Sequence, residues 1–305
     1  LPADFKKAAP VLQKITNTVH KQNGEGMMFL YMFLPDYVEQ YGIDYLDVSI
    51  PLIEQITQVT SAEFAVRPFI IKYPQPMMKQ MLKWSKHSNE FVRRLSTEGY
   101  RPRQPWAIAL PAFKNDPTPV LSILENLKND PSETVRRSVA NNLNDIAKDH
   151  PDIVLQLIKK WKGISENTDW VIKHGSRTLL KKGNAEAMQH FGNHKIPTAA
   201  VTDLKCNKKI TIGESLTFEF KLHHQEKKAV QMRLDYAIYY MKSNGKQSKK
   251  VFRMNDGLFE KNKLYPFIKK QHFKDLTTRK HYPGAHKLAI IINGTEHAHV
   301  TFQLI

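Results

Sequence analysis

Between Ala3 and about Phe191 the apolar residues recur at helical spacing, with breaks at prolines and glycines, which predicts a string of amphipathic helices. Pro76–Trp84, Pro119–Leu127 and Asp152–Trp161 each predict a helix of about two to three turns. The stretch from Glu133 to Lys148 is clearer. Val135, Val139, Leu143 and Ile146 form one apolar stripe, while Arg137, Asn141, Asn144 and Lys148 share another face. After Lys195-Ile196-Pro197 the period changes to two. Leu216, Phe218, Phe220 and Leu222 alternate with Thr217, Glu219, Lys221 and His223, and Leu234, Tyr236, Ile238 and Tyr240 do the same. Leu288, Ile290 and Ile292 precede an Asn293-Gly294 turn, and Val300, Phe302 and Leu304 follow it. Ser243-Asn244-Gly245 and Asn255-Asp256-Gly257 supply two further predicted turns.

The two periods predict two domains. Residues 1–195 read as helical, and residues 196–305, with about seven short strands, as an immunoglobulin-like β-sandwich. The helical part also repeats: Glu63/Arg67, Glu90/Arg94, Glu133/Arg137 and Asp169/Lys173 each place an acid four residues before a base. Val66, Val92, Val135 and Val171 stand close behind those acids. The offsets of 27, 43 and 36 residues lie in the range of HEAT-like helix pairs, which stack into an α-solenoid with an extended concave face. Residues 1–50 fit this register less well and read as a cap or an extra helical layer.

Charge changes the picture more than composition does. Across 305 residues there are 46 Lys+Arg against 29 Asp+Glu, a net charge of +17. Residues 1–200 hold 26 against 20, and residues 201–305 hold 20 against 9, so the excess is concentrated in the predicted sandwich. A polyanionic partner accounts for this most simply, with a surface made basic for solubility as the bland alternative. A hydrophobic fraction of 41% excludes a disordered basic tail. The longest apolar run, Met27–Leu34, is far short of the roughly 20 residues that span a membrane. Leu1-Pro2-Ala3-Asp4 carries no secretory pattern, and Cys206, alone, permits neither an internal disulfide nor a cysteine metal cluster. The expectation is a monomer in the bacterial cytosol, at the nucleoid, with no membrane partner.

The stretch from Glu90 through Phe91, Val92, Arg93, Arg94, Glu98, Gly99, Tyr100, Arg101, Pro102, Arg103, Gln104 and Pro105 to Trp106 resembles the AlkC branch of the bacterial DNA alkylation repair glycosylases. Residues 61–69, Val135–Asn142 and Asp169–Leu179 resemble it as well. The Glu98–Trp106 motif is specific, whereas the Val-Arg-Arg segment is a generic HEAT signal. The resemblance covers both halves and implies a HEAT-like domain followed by an immunoglobulin-like one. It further implies excision of cationic N-alkylated bases such as 3-methyladenine and 3-methylcytosine from double-stranded DNA. The related AlkD type is thought to leave the lesion in the stack.

That chemistry sets requirements of its own. An N3-alkylated base carries positive charge and already leaves well, so an oxocarbenium-like state at C1′ needs a carboxylate to favour the cation and orient water. Aromatic faces attract the cation as well. No metal or cofactor is required. His223-His224, and His297 with His299, lack the acid or cysteine partners of a ligand set.

Glu98 is the first candidate acid, because it follows a helix and opens a loop with Arg101, Arg103 and Trp106, which are themselves candidates for contact with DNA. An ordinary Arg94–Glu98 surface pair is the competing explanation. Glu133 and Asp169 are weaker candidates, since each also suits a helix start. Trp170, His174, Arg177 and Lys181 fall on one predicted helix face, which suits DNA; Arg136, Arg137, Asn141 and Lys148 suit phosphate contacts, with Lys173 alongside. Trp106 and Tyr100 are candidate wedges against the lesion. Met27-Met28 and Met77-Met78 read as core filling.

The sandwich carries the doublets Lys208-Lys209, Lys227-Lys228, Lys249-Lys250, Lys269-Lys270 and Arg279-Lys280, several in or beside predicted turns, and these are expected to grip the DNA backbone. Two other classes remain open at this point. One is a non-catalytic HEAT-repeat protein that binds damaged or branched DNA; the other is a scaffold for acidic proteins.

Overall fold

In the computed structural model residues 1–26, 28–277 and 280–305 are described. Met27 and Arg279, each half of a pair singled out above, lie outside them. By its contacts the chain divides into two units, Leu1–Thr178 and Leu179–Ile305.

The first unit is helical: α1 (Phe5–Asn23), α2 (Phe33–Gly42), α3 (Leu46–Ile56), α4 (Val66–Lys72), α5 (Pro74–Trp84), α6 (Glu90–Glu98), α7 (Pro111–Asn115), α8 (Leu121–Leu127), α9 (Glu133–Ile146), α10 (Pro151–Trp161) and α11 (Glu166–Gly175). Local chemistry fixes the ends. Prolines open α5, α7 and α10, where the missing N–H would have no helical partner anyway. Asn89 caps α6 by accepting from Phe91 N and Val92 N, and Ser165 caps α11 by accepting from Thr168 N. The predicted stripe of Val135, Val139, Leu143 and Ile146 is buried.

Helices α6, α9 and α11 lie side by side, with α9 in the middle. Their caps, Asn89, Ser132 and Ser165, put Glu90, Glu133 and Glu166 in equivalent first positions. One turn on stand Arg94, Arg137 and Trp170, and one turn further Glu98, Asn141 and His174. This corrects the repeat read from the sequence, since Asp169 stands inside its helix and Glu63 precedes one. Glu133 and Arg137 form the expected pair four residues apart. Glu63 instead meets Arg94 at 2.6 Å, Glu90 accepts from the Ser132 hydroxyl, and Arg67 turns inward. Buried or lateral partners outcompete an exposed pair along the helix, which contributes only a few tenths of a kcal/mol, roughly.

The second unit opens with α12 (Arg177–Lys181, which straddles the division) and α13 (Ala185–His190), followed by β1 (Ala200–Cys206), β2 (Lys209–Ile210), β3 (Ser215–His223), β4 (Val230–Met241), β5 (Gln247–Phe259), β6 (Tyr265–His272), β7 (Gly284–Ile292) and β8 (Thr295–Leu304). The period changes near residue 196, where strands are about to begin. Residues 179–195 nevertheless group with those strands: Asn293 Nδ2 in the β7–β8 turn donates to His194 O at 2.5 Å.

The strands form sheets of order β1-β3-β6 and β2-β8-β7-β4-β5, antiparallel except for β2 with β8. Leu216, Phe218, Phe220 and Leu222 of β3 pack with Leu234, Tyr236 and Ile238 of β4 and with Leu288, Ile290, Ile292, Phe302 and Leu304. This is the sandwich core that the alternation predicted. Asn293 and Gly294 both take positive φ, as a two-residue hairpin turn demands.

Asn255-Asp256-Gly257 is not a turn. It lies inside β5, where a register shift opposite Leu234 and Asp235 admits an extra residue. Because β5 is an edge strand, these residues cost little there. Lys249-Lys250 and Lys269-Lys270 likewise lie within the edge strands β5 and β6, while Lys227-Lys228 lies in the β3–β4 connection.

Close packing of α9 on α11 depends on Gly175, where a Cβ would stand 2.8 Å from Leu143 Cβ. Gly175→Ala should therefore lower the stability of the helical unit by about 1–3 kcal/mol. Thermal unfolding followed by far-ultraviolet circular dichroism measures this, and an unchanged midpoint would show that the helices part at no cost.

Candidate active site

The faces of α9 assign three tasks to one helix. Val135, Val139 and Ile146 point into the core, and Ala140 and Leu143 meet Gly175 of α11. Ser138, Asn142 and Asp145 turn toward α6 and the loop after it, where Asn142 Nδ2 donates to Thr97 O at 2.9 Å. Glu133, Arg137 and Asn141 remain for the outer face.

Glu98 occupies the same outer row on α6 that Asn141 and His174 occupy on α9 and α11, yet its side chain is only 5% exposed. Its Oε1 accepts from Arg101 Nη1 at 2.6 Å and its Oε2 from Ser138 Oγ at 2.5 Å. The Arg94–Glu98 pair considered from the sequence does not form, since Arg94 is engaged by Glu63. Arg101 also donates through Nε to Asp145 Oδ2 at 2.9 Å, and Lys148 Nζ reaches Asp145 Oδ1 at 2.8 Å. Burial works against the Arg101 charge. The Glu98 and Asp145 carboxylates outweigh it and hold the guanidinium above its ordinary value.

The loop of residues 99–110 is fixed from beneath. Arg67, fully buried, donates through Nε to Ile108 O at 2.6 Å and through Nη1 to Gly99 O and Arg101 O at 2.9 Å each. Burial, followed by the nearby Arg101 charge, pushes the Arg67 pKa down to about 10, so it stays charged at neutral pH. Arg103 grips Asp149 with both arms, at 2.9 and 2.6 Å. Tyr100, a candidate wedge in the sequence, is instead buried edge-on against Phe113 with centroids 4.8 Å apart. Trp106 takes the other outcome: it is 98% exposed, with φ at 64°.

On α11 the Trp170 and His174 rings stack at 4.9 Å and 6°. Arg177 Nη2 donates to Asn141 Oδ1 at 3.0 Å, tying this face to α9. Burial, then the Arg177 and Arg137 charges, lower the His174 pKa below its usual value, so the imidazole is neutral at pH 7. The predicted four-residue face is shortened. Helix α11 ends at Gly175, and Lys181 falls in the second unit, where its charge acts on Asp235. Lys173 and the Glu133–Arg137 pair are exposed, whereas Arg136 Nη1 is committed to Asp130 O and Pro131 O. Asp169 Oδ1 accepts from Gly163 N at 2.8 Å.

Ser138, Asp145 and Arg67 were not found from the sequence. A signal existed for two of them: Ser138, Asn142 and Asp145 make a polar stripe on α9 beside the apolar one. Arg67 gave none, because its partners are backbone carbonyls far along the chain.

A family model described as DNA alkylation repair enzyme matches residues 6–191, and one described as the C-terminal Ig-like domain of the uncharacterised protein YhaZ matches residues 200–305. The uncharacterized protein YhaZ of Bacillus subtilis strain 168 is 45% identical over 305 residues, which is 100% of this chain and 83% of the relative. Pseudomonas fluorescens alkylpurine DNA glycosylase AlkC, solved bound to DNA containing an abasic site analog, matches with a TM-score of 0.93 at 36% identity. That match covers 100% of this chain and 84% of the other.

The two loop arginines differ in burial, and their removal should differ accordingly. Arg101→Met leaves the Glu98 and Asp145 carboxylates buried without their shared cation and should destabilise the helical unit by about 3–5 kcal/mol. Arg103→Met breaks a partly exposed pair and should cost about 0–1 kcal/mol. Denaturant unfolding of both variants compares them, and equal effects would remove the buried pair from its anchoring role.

Proposed function

The chain belongs to the DNA alkylation repair enzyme family, and we propose that it is a monofunctional DNA glycosylase for cationic N-alkylated bases such as 3-methyladenine and 3-methylcytosine. The observation that carries this reading is the Glu98 carboxylate, held by Arg101 and Ser138 in the row it shares with Asn141 and His174. The similarity to an alkylpurine DNA glycosylase solved on DNA supports both the partner and the reaction class.

The alkylated base departs with the electron pair of its glycosidic bond and becomes neutral, so no acid need protonate it. Positive charge develops at C1′ and its ring oxygen. A water molecule then adds to C1′ and gives up a proton, leaving an abasic sugar. A carboxylate that is already fixed stabilises that charge without reorganising, and a low-dielectric surrounding strengthens its field. Glu98 fits this role better than Glu133, whose carboxylate is exposed and bridged to Arg137. Asp169, turned to a backbone N–H, is a secondary candidate.

The Trp170 ring supplies an aromatic face for the cationic sugar or base. Arg137, Asn141, Lys148, Lys173, His174 and Arg177 suit contacts with flanking phosphates, which position the protein without reading sequence. In this reading the base is not flipped into a pocket. On the sandwich, the Lys227-Lys228 turn suits the same task. The protein acts as a monomer in the bacterial cytosol.

Glu98→Gln should reduce release of 3-methyladenine from methylated duplex by on the order of a hundred- to a thousandfold, with DNA binding retained. The wild-type product should be an abasic strand without a nick. Unimpaired release by the variant would remove Glu98 from the mechanism, and DNA binding without release by the wild type would make the protein a binder only. In a separate measurement, Lys227→Glu with Lys228→Glu should weaken DNA binding and flatten its salt dependence, by about one unit of slope for each phosphate no longer neutralised. An unchanged slope would place both lysines off the DNA.

A further inference from the structure

We propose that Trp106 and the apolar loop tip that carries it form a wedge that enters the base stack of duplex DNA. The reading of the lesion beside it rests on the glycosylase function above; the insertion itself rests on the loop.

Trp106 is the most exposed of the large apolar side chains among the described residues, at 98%. Its backbone is unusual too. The described non-glycine residues with positive φ are Trp106, Asp203, Asn262 and Asn293. Asn and Asp tolerate that region through their short polar side chains, whereas a bulky aromatic does so only under constraint. Such strain persists where surrounding structure enforces it, and it concentrates at ligand contacts.

The enforcing structure is visible. Arg67 clamps both arms of the loop, holding Gly99 O and Arg101 O on one side and Ile108 O on the other. Arg101 and Arg103 fasten the first arm to Asp145 and Asp149. The root is therefore rigid, and the indole is held outward instead of folding back onto the protein.

The chemistry of the tip selects its target. Pro105, Trp106, Ile108 and Ala109 are exposed and uncharged on a protein with a net charge of +17. The loop's two arginines already hold carboxylates, so this tip offers a phosphate nothing. A gap between base pairs, lined by apolar π-faces, matches an indole, and inserted apolar side chains unstack base steps elsewhere in this manner. Glu98 stands at the root of the same loop, so a wedge and a carboxylate are delivered by one rigid element.

The test uses a duplex with an abasic-site analogue and 2-aminopurine as the neighbouring base, whose emission rises on unstacking. Wild-type protein should raise that emission. Trp106→Ala should abolish the rise and weaken binding by on the order of tenfold, while leaving the melting temperature unchanged because the side chain packs on nothing. Trp106→Phe should retain most of the rise. A full rise with Trp106→Ala overturns the wedge, and so does a loss of binding that merely tracks a lowered melting temperature. Wild-type protein that brightens 2-aminopurine but releases no base refutes the glycosylase reading and leaves the wedge standing. Release of 3-methyladenine without brightening does the reverse.

Discussion

Two guanidinium groups, those of Arg67 and Arg101, are carried into the interior of the helical unit, and a charge taken out of water is tolerated only where partners surround it. Arg101 finds Glu98 and Asp145, so it joins the end of α6 to the end of α9. Arg67 finds no carboxylate within bonding distance and takes the carbonyls of residues 99, 101 and 108. Those carbonyls can converge on one guanidinium only if the intervening chain loops out. The shape of the 99–110 loop, the burial of Glu98 and the exposure of Trp106 all follow from satisfying these charges.

The legibility of the fold follows from which forces are local. Alternation in β3, β4, β7 and β8 survives into the structure because one face of each strand meets the core, and a slip by one residue would expose Phe218 and Phe220 together. The stripe on α9 survives for the same reason. The repeat register did not survive, because acid–base spacing along one helix is a weak signal beside capping. Asn89 and Ser165 fix where α6 and α11 begin, and they make Glu166 the equivalent of Glu133. Asn255-Asp256-Gly257 misled for a related reason. Turn-type residues mark turns only where the partner strand ends, and β4 continues past them.

The candidate site was legible as a motif and not as an arrangement. Glu98 and Trp106 stood out, but their states are opposite, one buried and one bare, and nothing in the sequence between them decides which is which. That outcome is set by Ser138 and Asp145 on α9 and by Arg67 on α4. Tyr100 shows the same limit, since an aromatic beside Gly99 reads equally well as wedge or as core until Phe113 is placed against it. The basic character of the sandwich divides in a similar way. Lysines within the edge strands β5 and β6 discourage strand-to-strand association, so their charge has a use apart from any polyanion. Lys249 is also bound to Glu296. The Lys227-Lys228 connection lies outside the edge strands, which favours it as the proposed phosphate contact.

The stack of Trp170 on His174 then takes on a specific meaning. A protonated imidazole would occupy the indole through its own cation–π attraction. Burial and the flanking charges of Arg177 and Arg137 keep His174 neutral instead. In the proposed complex the partly exposed indole can then attract a cation from outside, and the two arginines that depress the imidazole suit the flanking phosphates. In the proposed reaction a transient positive charge at C1′ would meet the fixed Glu98 carboxylate and the partly exposed Trp170 ring, and neither depends on a side chain changing its protonation state.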